Sequence, residues 1–236
     1  MAVQYASAET VRVPAGAATC DGELRVPELA TGLVVFAHGS GSSRFSSRNR
    51  SVAGVLEEAG FGTLLLDLLT PDEAALDDVT RKYRFDIEML GQRVVAASDW
   101  AMGRHNLQRL PFAFFGASTG AAAALIAAAE RPDVARAVIS RGGRPDLAGE
   151  ALPRVQAPTL LMVGGNDEPV IDLNREAMEQ MRALVRLEIV AGATHLFEEP
   201  GTLERVSHLA ADWCRRYLRA YPPEALNGVA PGELGG

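Results

Sequence analysis

The chain has 236 residues, 47% of them hydrophobic and 22% charged, with a net charge of −7. That composition can build a full buried core, and the acidic balance, with no lysine- or arginine-rich block, argues against a partner made of phosphates. The longest uninterrupted apolar run, 121–129, falls far short of the ~20 residues needed to cross a bilayer, and 1–16 lacks the basic start and apolar centre of a signal peptide. Cys20 and Cys214 fit neither a metal-binding spacing nor a disulfide framework, so a soluble cytoplasmic protein is expected.

In chain order, residues 10–13 alternate weakly, and 23–26 can pair with them across Asp21-Gly22 as edge strands. Residues 33–36 form a continuous apolar run ending at Ala37-His38-Gly39-Ser40-Gly41, as buried parallel strands do. A helix is expected over 49–59, stopped at Gly60, then a strand over 63–66 ending in Asp67. Residues 83–102 predict a long helix, because Ile87, Leu90, Val94, Val95 and Trp100 recur near a 3.6-residue period. A short apolar run from Phe112 leads to Ser118 and then to an alanine-rich helix. Strands at 137–140, 159–163 and 187–190 follow, with helices at 172–184 and 202–220. Strands alternating with helices predict an α/β fold, a mostly parallel sheet covered on both faces. One domain is expected over 1–221, and the Pro- and Gly-rich 222–236 is read as a mobile tail.

Functional residues of such sheets gather where the strands end at their carboxyl side. At one such end lies Gly116-Ala117-Ser118-Thr119-Gly120, a sharp strand-to-helix turn that presents a serine hydroxyl above the sheet. Glycine is needed two residues to either side because strand and helix approach too closely for a Cβ. A serine hydroxyl is a weak nucleophile at neutral pH and needs a neighbouring base. His38 sits before Gly39 and is read as supporting its loop; His105 lies in a polar stretch and His208 on the flank of the last helix. His195, in the small-residue loop Ala191-Gly192-Ala193-Thr194-His195-Leu196-Phe197, is read as the base. A carboxylate after the preceding strand would hold the imidazole tautomer, and Asp167 fits best there, with Glu168 and Asp172 as local rivals. The order Ser118, Asp167, His195 falls at three of the last four expected strand ends. The amides of Thr119 and Ser40 are the expected oxyanion donors.

From residue 33 to 218 the chain resembles an α/β-hydrolase of the dienelactone-hydrolase-like family. His38-Gly39-Ser40-Gly41-Ser42-Ser43, Gly116-Ala117-Ser118-Thr119-Gly120, Gly164-Gly165-Asn166-Asp167 and Ala193-Thr194-His195-Leu196-Phe197 carry the resemblance. It implies the α/β-hydrolase fold, with Ser118 as nucleophile, Asp167 as acid and His195 as base. The enol-lactone hydrolases that name the family use cysteine where this chain has Ser118. The hydrolase class is therefore implied, and the lactone substrate is not. Some family members resemble domains fused to phosphoribosyltransferases; no such domain is read in this chain.

Only residues 141–158 are available for a lid between two of the later strands, so a minimal lid and a small substrate are expected. Arg141 and Arg144 there, with Arg44, Arg48 and Arg50 after the oxyanion loop, are arginines suited to a carboxylate-bearing ester, and Arg141, Arg144 and Arg44 are the three expected to face it. The function expected is a serine hydrolase of small carboxylic esters, lactones or thioesters, needing no cofactor or metal. It would bind neither nucleic acid nor membrane, and nothing in the sequence sets its oligomeric state. The alternative is a ligand-binding or sensor protein that keeps a hydrolase fold with slow turnover.

Overall fold

A computed structural model describes residues 8–218; the tail expected at 222–236 lies outside them. An eight-stranded sheet runs through the molecule: β1 (Glu9–Ala15), β2 (Ala18–Arg25), β3 (Leu33–Ala37), β4 (Gly62–Leu66), β5 (Phe112–Ala117), β6 (Ala135–Arg141), β7 (Thr159–Gly164) and β8 (Val185–Val190). Its spatial order is β1-β2-β4-β3-β5-β6-β7-β8. The β1–β2 and β2–β4 pairs are antiparallel, and every pair from β4 through β8 is parallel.

Strand alternation divides the core in two. Phe112 and Phe114 of β5 face one layer, and Ala113, Phe115 and Ala117 face the other. The first layer receives α3 (Ile87–Met102), α4 (Gly120–Glu130) and Ala177 of α5 (Glu168–Gln180). The second receives α1 (Ser47–Glu58) and α6 (Thr202–Tyr217). Ten of the eleven residues of α4 are buried, Gly120 through Ala129. The alanine run is thus core, and its small side chains let helix and sheet close together. No helix among the described residues is long and apolar enough to cross a membrane.

Several elements differ from expectation. The β1–β2 turn falls at 16–17, so Asp21-Gly22 lies inside β2, and α5 begins and ends four residues before the expected 172–184. The helix predicted from residue 83 begins at Ile87, where the Asp86 carboxylate accepts the Met89 N–H as N-cap. Upstream, Pro71–Thr80 forms a further helix, α2. Its start is a capping box: Thr70 Oγ1 accepts the Glu73 N–H, and the Glu73 carboxylate accepts the Thr70 N–H. Glu73 also receives two hydrogen bonds from the buried Arg93 of α3, which hold its carboxyl down at about 2 and tie α2 to α3. A 3₁₀ segment, Pro145–Arg154, occupies the stretch considered for a lid and packs on α4 and α5.

Candidate active site

Ser118 lies between β5 and α4 with a φ of 51°, one of three non-glycine residues in the left-handed region among the described residues. A single residue held there stores strain that its surroundings must overcome, as catalytic turns often do. The surroundings are tight. A Cβ on Gly116 would come 2.3 Å from Ala121 Cα, and one on Gly120 would come 2.2 Å from Ala37 O. Glycine at both places is a steric necessity. The Ser118 N–H donates to Arg141 O at 3.2 Å, and Ser118 O accepts the Arg144 N–H at 3.0 Å, so the turn is clamped to the end of β6.

Asp167 occupies the N-cap position of α5, yet its side chain makes no capping bond. Its Oδ2 instead accepts from His195 Nδ1 at 2.7 Å. An aspartate at a helix start normally satisfies the helix's own amides; this one is committed to an imidazole 28 residues away. The loop carrying His195 is pinned by Glu199, whose carboxylate accepts the Thr194 N–H and hydroxyl at 3.1 and 2.6 Å. Gly142, next to the clamp on Ser118, abuts the same loop: a Cβ there would lie 3.7 Å from His195 Cε1. Among the described residues no hydrogen bond joins Ser118 Oγ to His195. Such a bond is commonly long before a substrate tightens the site.

The loop after β3 crosses directly over the serine. A Cβ on Gly39 would lie 2.9 Å from Ser118 Cβ. Ser40 N–H donates to Thr119 Oγ1 at 3.0 Å, which joins the two expected oxyanion donors but engages one of them with a side chain. Ser40 Oγ donates to Arg84 O at 3.1 Å, so the 3.0 Å contact between the two hydroxyls is made by the Thr119 proton. Arg84 is itself held by the buried Asp77 of α2, whose carboxylate accepts the N–H groups of Tyr83 and Arg84 and the Arg84 Nε–H.

A cleft of about 450 Å³ opens beside this braced loop, bounded by Ser40, Thr119, Leu68, Ala74, Asp77 and Arg84. Neither Ser118 nor His195 lines it, and it reaches the elbow through Ser40 and Thr119. Its outer wall is α2 and the turn after it, an element that the sequence analysis did not read. The T-P-D-E run at 70–73, a proline-led capping box, is the signal that marks it.

His38 holds the loop from beneath. It is 7% exposed; Nε2 accepts the Leu68 N–H at 2.9 Å, so Nδ1 carries the proton and donates to Gly39 O, also at 2.9 Å. Burial lowers its pKa below the ordinary 6.5. The unfolded chain therefore takes up a proton near 6.5 that the folded chain resists. The stability due to neutral His38 is complete above that pH and is lost as the pH falls through it toward the depressed folded value. Urea midpoints measured from pH 7.5 to 5 are expected to fall more steeply for the wild type than for His38→Gln; equal slopes would show that His38 does not contribute.

Of the three arginines expected to face substrate, two have internal carboxylates. Arg44 donates through its N–H and its guanidinium to Asp67, and Arg144 pairs with Asp146 through two bonds of 2.8 and 2.7 Å. Arg141 has no such carboxylate partner among the described residues.

A family model described as "Dienelactone hydrolase family" matches residues 21–219. A dienelactone hydrolase from Anabaena variabilis is 55% identical, with a TM-score of 0.89 covering 90% of this chain and 99% of that one. Est1E from Butyrivibrio proteoclasticus is 16% identical with a TM-score of 0.72, covering 88% and 98% of the two chains, a likeness of fold. Two proteins from Mycobacterium tuberculosis strains, each named "Putative phosphoribosyl transferase", are 55% identical over 205 residues. That stretch is 87% of this chain and 45% of theirs, so the chain spans about half the length of these curated relatives. The chain belongs to the dienelactone hydrolase family and has the α/β-hydrolase fold.

Proposed function

We propose that this member of the dienelactone hydrolase family is a serine hydrolase of small carboxylic esters, lactones or thioesters. Ser118 Oγ attacks the substrate carbonyl while His195 Nε2 takes its proton, and Asp167 fixes the ring tautomer and balances the imidazolium. The tetrahedral oxyanion is received by the Thr119 N–H and by the Ser40 N–H, which exchanges Thr119 Oγ1 for the substrate oxygen. His195 then protonates the leaving group, and a water activated by the same imidazole releases the acyl group from Ser118.

The observation that carries this reading is the Asp167 carboxylate bonded at 2.7 Å to His195 instead of capping its own helix. The strained φ of Ser118 and the glycines that permit it supply the second support. A cleft of about 450 Å³ suits a compact substrate. We also read 8–218 as one folding unit built on the single sheet. The buried free thiols Cys20 and Cys214 accord with a reducing, cytoplasmic setting.

The test is a fluorophosphonate probe followed by peptide mapping, together with a panel of short-chain esters. The expected result is one adduct, on Ser118, and multiple turnovers of the preferred ester. An adduct on another residue would move the nucleophile. An adduct on Ser118 without turnover would leave a binding protein on a hydrolase fold.

A further inference from the structure

Arg141, the last residue of β6, is 7% exposed, and its side chain has a single acceptor among the described residues, the Asn49 oxygen 3.1 Å from Nη2. Its Nε and Nη1 are buried and have no partner among the described residues. Asn49, 2% exposed, stands in the first turn of α1, which holds no acidic residue. Its neighbour Arg48 has a buried Nε that is also without a partner, while its Nη1 donates to Glu198 Oε1 at 3.0 Å. Burial, and after it the positive charge of Arg48, bring the Arg141 guanidinium down to about 10.

Three sources of positive potential therefore meet: two guanidiniums and the amino end of a 12-residue helix. The Glu198 carboxylate, 63% exposed, is the counter-charge bonded to Arg48, and none is bonded to Arg141. A buried cation without an anion is among the least favourable arrangements in a protein, and a helix start normally attracts acids. Both become favourable when an anion binds beside the two guanidiniums.

We propose that Arg141, Arg48, Asn49 and the first turn of α1 form a binding site for a small oxyanion, either a carboxylate or an inorganic anion of similar size. The backbone of Arg141 adjoins the proposed nucleophile, since Arg141 O accepts the Ser118 N–H. Its role toward substrate rests on the hydrolase reading; its affinity for an anion does not. Entry is past the Arg48 side chain, which is 34% exposed and held by the exposed Glu198. The oxyanion then replaces that contact with charge-assisted bonds to both guanidiniums. It can be an acidic group of the substrate or a free anion, and the experiment separates the two.

The first arm melts the wild-type protein in rising phosphate or succinate at constant ionic strength. A saturable rise in Tm of roughly 5 °C is expected at about a hundred times Kd, and its loss in Arg141→Gln and Arg48→Ala. The second arm compares a succinic half-ester of p-nitrophenol with the neutral butyrate ester. The variants are expected to raise KM for the acidic ester roughly 10- to 100-fold more than for the neutral one. A Tm shift with matching KM changes assigns the site to a free anion; selective loss for the acidic ester assigns it to the substrate. An unsaturable Tm rise kept in the variants, with equal KM changes, overturns the proposal. Should Arg141→Gln fail to fold, the wild-type titration and Arg48→Ala decide. Absence of turnover of both esters in the wild type would defeat the hydrolase reading alone, because the melting arm needs no turnover.

Discussion

Ser118→Ala is expected to lower kcat for a neutral short-chain ester by about 10⁴- to 10⁶-fold while leaving the melting temperature within a few degrees of the wild type. The size follows from what the hydroxyl does: without it there is no acyl-enzyme, and the oxyanion donors and cleft retain only a small share of the acceleration. Asp167→Asn is expected to cost about 10⁴-fold, because an amide beside Nδ1 favours the wrong imidazole tautomer and leaves the imidazolium without its counter-charge. The two losses do not add, since both residues act on one step, so the double variant should resemble Ser118→Ala. Steady-state kinetics on all three variants checks this. A double variant showing the product of the two single losses would mean that Asp167 acts elsewhere.

Gly120→Ala is expected to be the most damaging small substitution, destabilising the protein by more than about 4 kcal/mol. The added methyl would lie 2.2 Å from Ala37 O, 2.6 Å from His38 O and 2.7 Å from Ala37 C. These are backbone atoms of a central strand bonded on both sides, to β4 and β5. They can yield only if the sheet shifts, and overpacking of that kind costs more than an ordinary core insertion. Gly116→Ala meets the same obstacle from the helix side, 2.3 Å from Ala121 Cα. Denaturant unfolding, or the soluble yield if neither variant folds, gives the result; a loss below 1 kcal/mol would show that the elbow has slack. By contrast, nothing lies within 4 Å of a Cβ on the helical Gly54, where the same substitution is expected to be nearly neutral.

The parts of the fold legible in the sequence were those governed by local pattern. Unbroken apolar runs located β3, β4, β5 and β7, and the glycines around Ser118 announced the elbow, because steric exclusion leaves a mark in residue type. The residues of the candidate site were named from strand ends alone, and the hydrogen bond from His195 to Asp167 joins two of them. What stayed hidden depends on long-range pairing. No spacing tells that Arg44 meets Asp67, 23 positions on, while Arg141 meets no carboxylate among the described residues; Asn49, its one acceptor there, lies 92 positions earlier. Likewise the Ser40 amide looked free for an oxyanion until the side chain of Thr119 was placed beside it. The helix α2 was missed for another reason. Of its ten residues Asp77 alone is buried, so it has no apolar face to reveal, and its capping box was the sole local cue.

The bracing of the oxyanion loop reaches beyond catalysis. Through Ser40 and Arg84, the α2 wall of the cleft is fastened to the loop proposed to receive developing charge, with Asp77 as the rivet. Under the proposed mechanism, substrate admission and oxyanion binding are therefore mechanically tied. On that mechanism, substitution at the exposed Leu76 or Val79 of α2 is expected to spare the chemistry, whereas substitution of the buried Asp77 is expected to change KM and kcat together.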